Sequence, residues 1–329
     1  PMIDAENAGN EEAGVLAPVC AKIVMKILYA ARVARHDLFK ACNALSRYLT
    51  KWTPGEDKKL HRLMCYIYHS LKIRLVSWAG DSTDHIHLSL YTDADFASDV
   101  KASLSTTGAS LKIEGPNTSF VLSALSKKQT AVCHSSTESE IVAADTSIRT
   151  VGIPTMILID FVLNRGVKMH FYEDNQSAIK IIESGYSQTL RHISRTHRVN
   201  LAWLKDQFTK LNIDMKYITT ERQAADIFTK HFVDRLKWYA ALLAINHYPN
   251  FSVEWLMDGS PVNLEEPYIR DTVPYKHSTS KKHTFDDGTL EEFDILSEGE
   301  YADTKKADHT VLNRNYTVAT KPPKTRNCL

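Results

Sequence analysis

The chain has 329 residues, enough for two or three domains, and its 43% hydrophobic and 24% charged content is typical of a globular protein. The net charge of +1 excludes a general polycation, and five scattered cysteines without a CxxC pair argue against a zinc site or a disulfide framework. No apolar run reaches the roughly 18 residues of a membrane span, and the N-terminus lacks the apolar core of a signal peptide, so we expect a cytoplasmic or nuclear protein without a membrane partner.

The first eighty residues predict a short disordered segment and then a helical module. Residues 1–18 are small and acidic and lack periodicity, which predicts disorder. Residues 19–80 contain "CAKIVMKILYAARVARHDLFKACNALSRYLTKW" and "EDKKLHRLMCYIYHSLK", which place apolar residues at helical spacing on either side of the breaker "TPG". We therefore predict a helical module over 19–80.

Residues 81–250 predict an α/β domain. "HIHLSLYTDADFASD" alternates as a strand does, and "TTGASLKIEGPNTSFVLSALS" predicts a hairpin that turns at "EGPN". A helix follows from about Ser136 to Asn164, in which the Gly152–Pro154 stretch could introduce a break. Strands "VKMHFYED" and "IDMKYITT" then alternate with helices at "NQSAIKIIESG", "SRTHRVNLAWLKDQFTKL" and from "ERQAADIFTK" onward. This order predicts a mixed sheet, with three antiparallel strands and then parallel strands, flanked by helices.

The charge is distributed unevenly. From Arg191 to Lys237 there are ten Lys or Arg against five Asp or Glu, which is either a solvated surface or a phosphate-binding patch. From Asp286 to Asp303 there are eight acidic residues and no Lys or Arg. Residues 251–329 are polar with few apolar clusters, so we predict a flexible C-terminal extension.

Several carboxylates stand at predicted strand ends and helix starts. In "HSSTESEIVAADTS", Thr137 could be an N-cap with Glu140 as its capping-box partner. Asp93 and Asp174 could be turn or cap residues, and Asp226 a surface helix residue. Alternatively, these groups meet at one edge of the sheet, where their mutual repulsion would require hard cations, magnesium above all. Two such ions would form a phosphodiester-cleaving site.

Five stretches, in order, carry a family resemblance: "YTDADFASD", "SKKQTAVCHSSTESEIVAAD", "EDNQSAIKI", "RHISRTHRVNLAWLKDQ" and "RQAADIFTK". Residues from about 87 to 231 thereby resemble the ribonuclease H domain of copia-type long-terminal-repeat retrotransposon Pol polyproteins, and the preceding helices resemble the segment that connects it to the reverse transcriptase. The resemblance implies a ribonuclease H-like five-stranded mixed sheet. This chain departs from the family at His197-Arg198, where Lys-His is usual, and at Leu122–Leu125, which replaces a tryptophan.

The resemblance also implies an activity, hydrolysis of the RNA strand of RNA–DNA hybrids with two Mg²⁺ ions, for which Mn²⁺ could substitute. The implied catalytic and metal-binding residues are Asp93, Glu140, Asp174 and Asp226, and Glu138 becomes an exposed or supporting neighbour. The implied nucleic-acid contacts are Lys127, Lys128, Gln129, Asn175, Gln176, Arg191, Arg195, His197 and Arg198. The implied partners are the hybrid and a reverse transcriptase domain, whose YxDD motif this chain lacks.

Two other interpretations remain open at this point. The chain could be an inactive retrotransposon-derived remnant or a hybrid-binding module, although its acidic set is intact. An integrase or a Holliday-junction nuclease would share the fold and the metal chemistry, but the order of the motifs and the missing His/Cys zinc region argue against an integrase.

Overall fold

The computed structural model describes residues 12–99, 102–249 and 318–319. The helices there are α1 (Cys20–Val33), α2 (Phe39–Ser46), α3 (Pro54–His69), α4 (Ser136–Ser147), α5 (Ile153–Leu163), α6 (Gln176–Ser184), α7 (Ile193–Thr196), α8 (Leu201–Lys210) and α9 (Arg235–Ala244). The strands are β1 (Arg74–Leu75), β2 (Ser77–Ala79), β3 (His87–Asp99), β4 (Leu104–Gly115), β5 (Thr118–Lys128), β6 (Met169–Glu173), β7 (Ile213–Tyr217), β8 (His247–Tyr248) and β9 (Val318–Ala319).

The main sheet has the strand order β7-β6-β3-β4-β5-β2-β9. Strands β3, β4 and β5 pair antiparallel, whereas β6 runs parallel to β3 and β7 runs parallel to β6. This arrangement confirms the predicted ribonuclease H-like mixed sheet of five main strands. Two short strands extend it, because β2 pairs antiparallel with β5 and parallel with β9. The rest of the predicted C-terminal extension, 251–329, lies outside the described residues.

Two hydrophobic cores cover the two faces of the sheet. The first packs α4, α5, α6 and α8 against inward residues such as Leu88, Leu90 and Phe171. The second core joins sequence-distant segments: Val24, Leu45 and other residues of the N-terminal helices pack with residues 224–228 and with α9. The helical segment 19–80 therefore shares its core with the sheet domain. It also contributes β1, which pairs with β8, and β2.

The helix expected to break near 152–154 continues without a break. One π-helical turn, Ile148–Gly152, joins α4 to α5, and Pro154 lies two residues after it, so the irregular turn directly precedes the residue that lacks an N–H. Among the described residues, Ser136–Leu163 is one helix long and apolar enough to cross a membrane by length and composition, a test that core helices also pass. Its first half packs on β3 and β4 and buries Glu138, Glu140 and Asp145, as a core helix does.

Three other local predictions need correction. The disorder predicted for 1–18 does not hold at its end, since the Val15 and Leu16 amides donate to Asp57 carboxylate oxygens, while residues 1–11 lie outside the described range. The basic helix predicted at "SRTHRVNLAWLKDQFTKL" is split into α7 and α8, with Asn200 as the N-cap of α8. Asp226 lies in a short 3₁₀ turn, Asp226–Phe228, and the last helix begins only at Arg235.

Candidate active site

The four predicted carboxylates come together from four separate elements. Asp93 lies in β3, Glu140 in the second turn of α4, Asp174 directly after β6, and Asp226 in the 3₁₀ turn. Carboxylate oxygens of Asp93, Asp174 and Asp226 all lie within 4.8 Å of one another, and so do those of Glu140, Glu173 and Asp174. The two groups share Asp174, so the residues form two adjoining acidic clusters.

Glu173 belongs to this cluster although the sequence analysis did not select it. Its side chain is fully buried, with the Thr92 hydroxyl donating to Oε2 at 3.2 Å and the Asn175 amide donating to Oε1 at 3.1 Å. Along β6 the buried positions alternate as Met169, Phe171 and Glu173. The same alternation in "MHFYE" could have shown that this glutamate faces inward.

Lys230 and Thr229 are a second pair that the sequence analysis missed. The Lys230 ammonium lies 2.8 Å from Asp226 Oδ1 and 3.3 Å from Asp93 Oδ1. The Thr229 hydroxyl donates to Asp93 Oδ2. Lys230 follows Asp226 by four residues in "ADIFTK", so the chain supplies its own cation beside two of its buried carboxylates.

The pKa values of the cluster are raised by burial and by mutual repulsion. Burial raises the pKa of Asp93, although Lys230 and Thr229 oppose the rise. Burial and neighbouring carboxylates hold the pKa of Glu140 and of Glu173 well above the usual range. Burial, with repulsion from Asp93, raises the pKa of Asp226 to about 7. Glu140 Oε2 is buried without a hydrogen-bond partner, which is the situation a bound cation would correct.

The hydrogen bonds at the start of α4 differ from the predicted capping box. Ser135, not Thr137, is the N-cap and accepts from the Glu138 amide at 3.1 Å. Glu138 Oε2 accepts from the His134 amide at 2.7 Å, so Glu138 supports the helix start and Glu140 takes no part in capping. The capping pair predicted from Thr137 and Glu140 is therefore wrong.

Glu138 is fully buried, so the exposed position considered for it is also wrong. Its Oε1 lies 2.9 Å from His192 Nε2 and 3.2 Å from His197 Nε2. Cys133 Sγ contacts the same His197 nitrogen at 3.8 Å. Glu138 therefore links the basic segment around α7 to the start of α4, the helix on which Glu140 lies.

Most predicted nucleic-acid contacts lie at the surface. The exposed or half-buried ones are Lys127, Lys128, Asn175, Gln176, Arg191, Arg195 and Arg198. Asn175 also caps α6 by accepting from the Ala178 amide at 3.0 Å. Gln129 and His197 do not fit this role. The Gln129 amide donates to Thr107 and to the Ser139 carbonyl in the interior, and the His197 side chain is 1% exposed.

No protein-family model matches the chain. It is 28% identical over 227 residues to the Retrovirus-related Pol polyprotein from transposon TNT 1-94 of Nicotiana tabacum, a match that covers 67% of this chain and 16% of the polyprotein. It is 35% identical over 117 residues to Secreted RxLR effector protein 161 of Plasmopara viticola, covering 36% of this chain and 78% of that protein. The chain thus spans a small part of the polyprotein and most of the shorter relative.

Solved structures of two proteins give weaker likenesses. LC11-RNase H1, isolated from compost and also solved in complex with an RNA/DNA hybrid, aligns at 14% identity over 44% of this chain and 92% of its own, with a TM-score of 0.31. The N-terminal RNase H domain of rv2228c from Mycobacterium tuberculosis aligns at 9% identity over 48% of this chain and 96% of its own, with the same TM-score. The fold follows from the order and direction of the chain's own strands.

Proposed function

We propose that the chain is a metal-dependent endonuclease, from the resemblance of residues 87–231 to the ribonuclease H domain of copia-type retrotransposon Pol polyproteins and from the chain's similarity to the Pol polyprotein of transposon TNT 1-94. Its substrate would be the RNA strand of RNA–DNA hybrids, cut during reverse transcription in the cytoplasm or nucleus. One observation carries the proposal: two groups of carboxylates share Asp174 at one edge of the sheet. We propose residues 81–250 as the nuclease domain and 19–80 as its connection segment.

The residues present fit two divalent cations. Asp93, Asp174 and Asp226 would hold one, and Glu140 with Asp174 would hold the other, beside Glu173. All the donors are carboxylate oxygens, which favours Mg²⁺, with Mn²⁺ as a substitute. Such ions supply Lewis-acid assistance to phosphodiester hydrolysis. The raised pKa values and the unpartnered Glu140 Oε2 support this assignment.

Hydrogen bonds and ion pairs within the chain hold the carboxylates of the site in place. Thr229 and Lys230 both bind Asp93, and Lys230 also binds Asp226, so the 3₁₀ turn is fixed against β3. The Thr92 hydroxyl and the Asn175 amide hold Glu173 beside Asp174. Because Lys230 already neutralises part of the charge, a cation between Asp93 and Asp226 must compete with its ammonium group.

The substrate would be gripped through its phosphates and through the 2′-hydroxyls of its RNA strand, without reading of base sequence. Lys127 and Lys128 lie at the end of β5, and Arg191, Arg195 and Arg198 lie around α7. The Glu138 contacts with His192 and His197 fasten this basic segment to the start of α4. The buried Glu138 carboxylate therefore holds the basic segment at a fixed distance from Glu140, which lies on the same helix as Glu138.

The test is cleavage of an end-labelled RNA–DNA hybrid by the whole chain, with Mg²⁺ and with EDTA. We expect only the RNA strand to be cut, only with the metal, and we expect Asp174→Asn to abolish cutting while hybrid binding persists. Asp206→Asn is the matched control, because it makes the same change at an exposed carboxylate on α8.

Each other outcome has a definite meaning. A fully active Asp174→Asn protein would refute the metal assignment. A folded wild-type chain that binds the hybrid without cutting it would favour a hybrid-binding module, unless an added reverse transcriptase domain restores cutting, which would identify that domain as a required partner.

A further inference from the structure

A cleft of about 910 Å³ opens between the helical segment α2–α3 and residues 227–238. Lys230, which contacts Asp93 and Asp226, lies on its wall, so one end of the cleft begins beside the catalytic carboxylates. The tips of the β3–β5 strands contribute Ser98, Thr106 and Ser126. None of the contacts predicted from the sequence, Lys127 to Arg198, lines this cleft.

The cleft is strongly basic. Its Lys and Arg residues are Lys40, Arg47, Lys59, Arg62, Lys230 and Arg235, and His231 lies among them. Its two carboxylates are engaged elsewhere: Asp37 pairs with Arg35 at 2.8 Å, and Asp234 caps α9 by accepting from the Leu236 amide. Lys59 and Lys230 have acidic partners of their own, but the walls as a whole present excess positive charge to the opening.

The positive groups also repel one another. Burial lowers the pKa of Lys40 to about 8 against the attraction of Asp95 and Asp93, and repulsion from Arg47 contributes to that lowering. Burial and the charge of Lys40 lower the pKa of His231. A polyanion in the cleft would relieve this repulsion, as counter-charges do in nucleic-acid grooves.

Aromatic rings lie among these charges. The Lys59 ammonium is 5.3 Å from the centre of the Tyr48 ring. The Trp238 ring meets Tyr66 edge-on at 5.8 Å and Phe232 at 5.6 Å. Proteins that hold unpaired strands combine a basic groove with such rings, because exposed bases stack on them. A fully paired duplex hides its base faces, so the lining favours a single strand.

We infer that this cleft binds an unpaired stretch of nucleic acid that continues from the hybrid at the carboxylates. The inference rests on the proposed function for the identity of its ligand, but binding can be measured without cleavage. The helices α2 and α3 would then contact the nucleic acid directly, in addition to packing against the sheet domain.

The experiment measures binding of the whole chain in EDTA to a blunt RNA–DNA hybrid and to hybrids with overhangs of about eight nucleotides, a length within the site size of single-strand grooves. Overhangs are placed in turn at the 3′ and 5′ end of each strand. We expect at least one of them to tighten binding by about tenfold. Arg47→Glu with Arg62→Glu should remove that gain and reduce the salt slope for the overhang substrate by roughly 1.4, about 0.7 for each lost phosphate contact.

The matched control is Lys22→Glu with Lys26→Glu, which makes the same charge change on the exposed face of α1. It should retain the overhang gain. The inference would be overturned if none of the overhangs tightened binding, or if the tighter binding persisted in the Arg47/Arg62 variant. Polyglutamate that binds as tightly as the oligonucleotide, with the same loss in the variant, would assign the cleft to an acidic polypeptide instead. Absent cleavage with a normal overhang gain would count against the nuclease proposal alone.

Discussion

In the absence of metal, the carboxylate cluster should make the protein less stable as the pH rises. The pKa of Asp226 is raised from 3.8 to about 7, so the folded chain keeps a proton that the unfolded chain gives up near pH 4. Unfolding therefore releases a proton between these two values, and the free energy of unfolding must fall as the pH rises through that window. Each pKa unit corresponds to about 1.4 kcal/mol, which gives ~4 kcal/mol as the upper limit for Asp226 alone.

Burial, with repulsion from Asp93 and Asp174, causes this raised pKa, and the part of the window above pH 5 spans about two pKa units, so we expect a loss of about 2–3 kcal/mol between pH 5 and pH 8. The assay is urea unfolding in EDTA at several pH values, repeated with about 10 mM Mg²⁺. Bound cations should flatten the profile and raise the stability at pH 8, because they bind only the folded cluster.

Asp226→Asn should also flatten the metal-free profile and stabilise the protein at pH 8, although it removes a proposed metal ligand. Asp206→Asn, at an exposed carboxylate, should leave the profile unchanged. A metal-free profile that rises with pH, or one that Asp226→Asn does not alter, would refute the reasoning.

Two further predictions concern the supports of the site. Glu138→Ala should lower the free energy of unfolding by about 3 kcal/mol, because it removes the acceptor of the His134 amide and the partner of the buried His197. Glu138→Gln should lower it by less. Equal urea midpoints for the two variants would contradict this prediction. Gly108→Ala should reduce cleavage and destabilise the protein by about 1–3 kcal/mol, because its Cβ would lie 2.6 Å from Thr229 Cγ2 and 2.9 Å from the Ala225 carbonyl oxygen. Unchanged kinetics and melting temperature in Gly108→Ala would show that the 3₁₀ turn tolerates the displacement.

Local periodicity was sufficient to predict the main sheet. Leu88 and Leu90 alternate with polar residues, and both are fully buried in β3 as expected. The "EGPN" turn joins β4 to β5, and the chain order of strands and helices predicts which pairs are antiparallel and which are parallel. These features depend on neighbours in sequence, which is why a single sequence reveals them.

The failures have a tertiary cause. The proline rule left a break near Gly152–Pro154 possible, but the helix continues through a π turn, and a Cβ at Gly152 would lie 3.1 Å from Leu90 Cδ2. The alternation along β6 contains the inward direction of Glu173, but it does not show which other carboxylates Glu173 meets. Lys230 joins the site through the docking of the 3₁₀ turn on β4, a contact between residues far apart in the sequence. The family resemblance supplied the four proposed catalytic positions, Asp93, Glu140, Asp174 and Asp226, and the structure brings these carboxylates together.

The second hydrophobic core has a consequence for the order in which the protein matures. It is built from residues near 20–73 and from residues near 224–245, so the ribosome makes one half long before the other. At roughly 5–20 residues per second, the amphipathic N-terminal helices wait about 10–40 seconds for their partners. Asp226 arrives with those late residues, so nuclease competence would appear only when the last helix docks. A nascent chain that ends before residue 224 would contain all five main strands of the sheet. Its N-terminal helices would have an uncovered apolar face, and Asp226 would be missing from the carboxylate cluster.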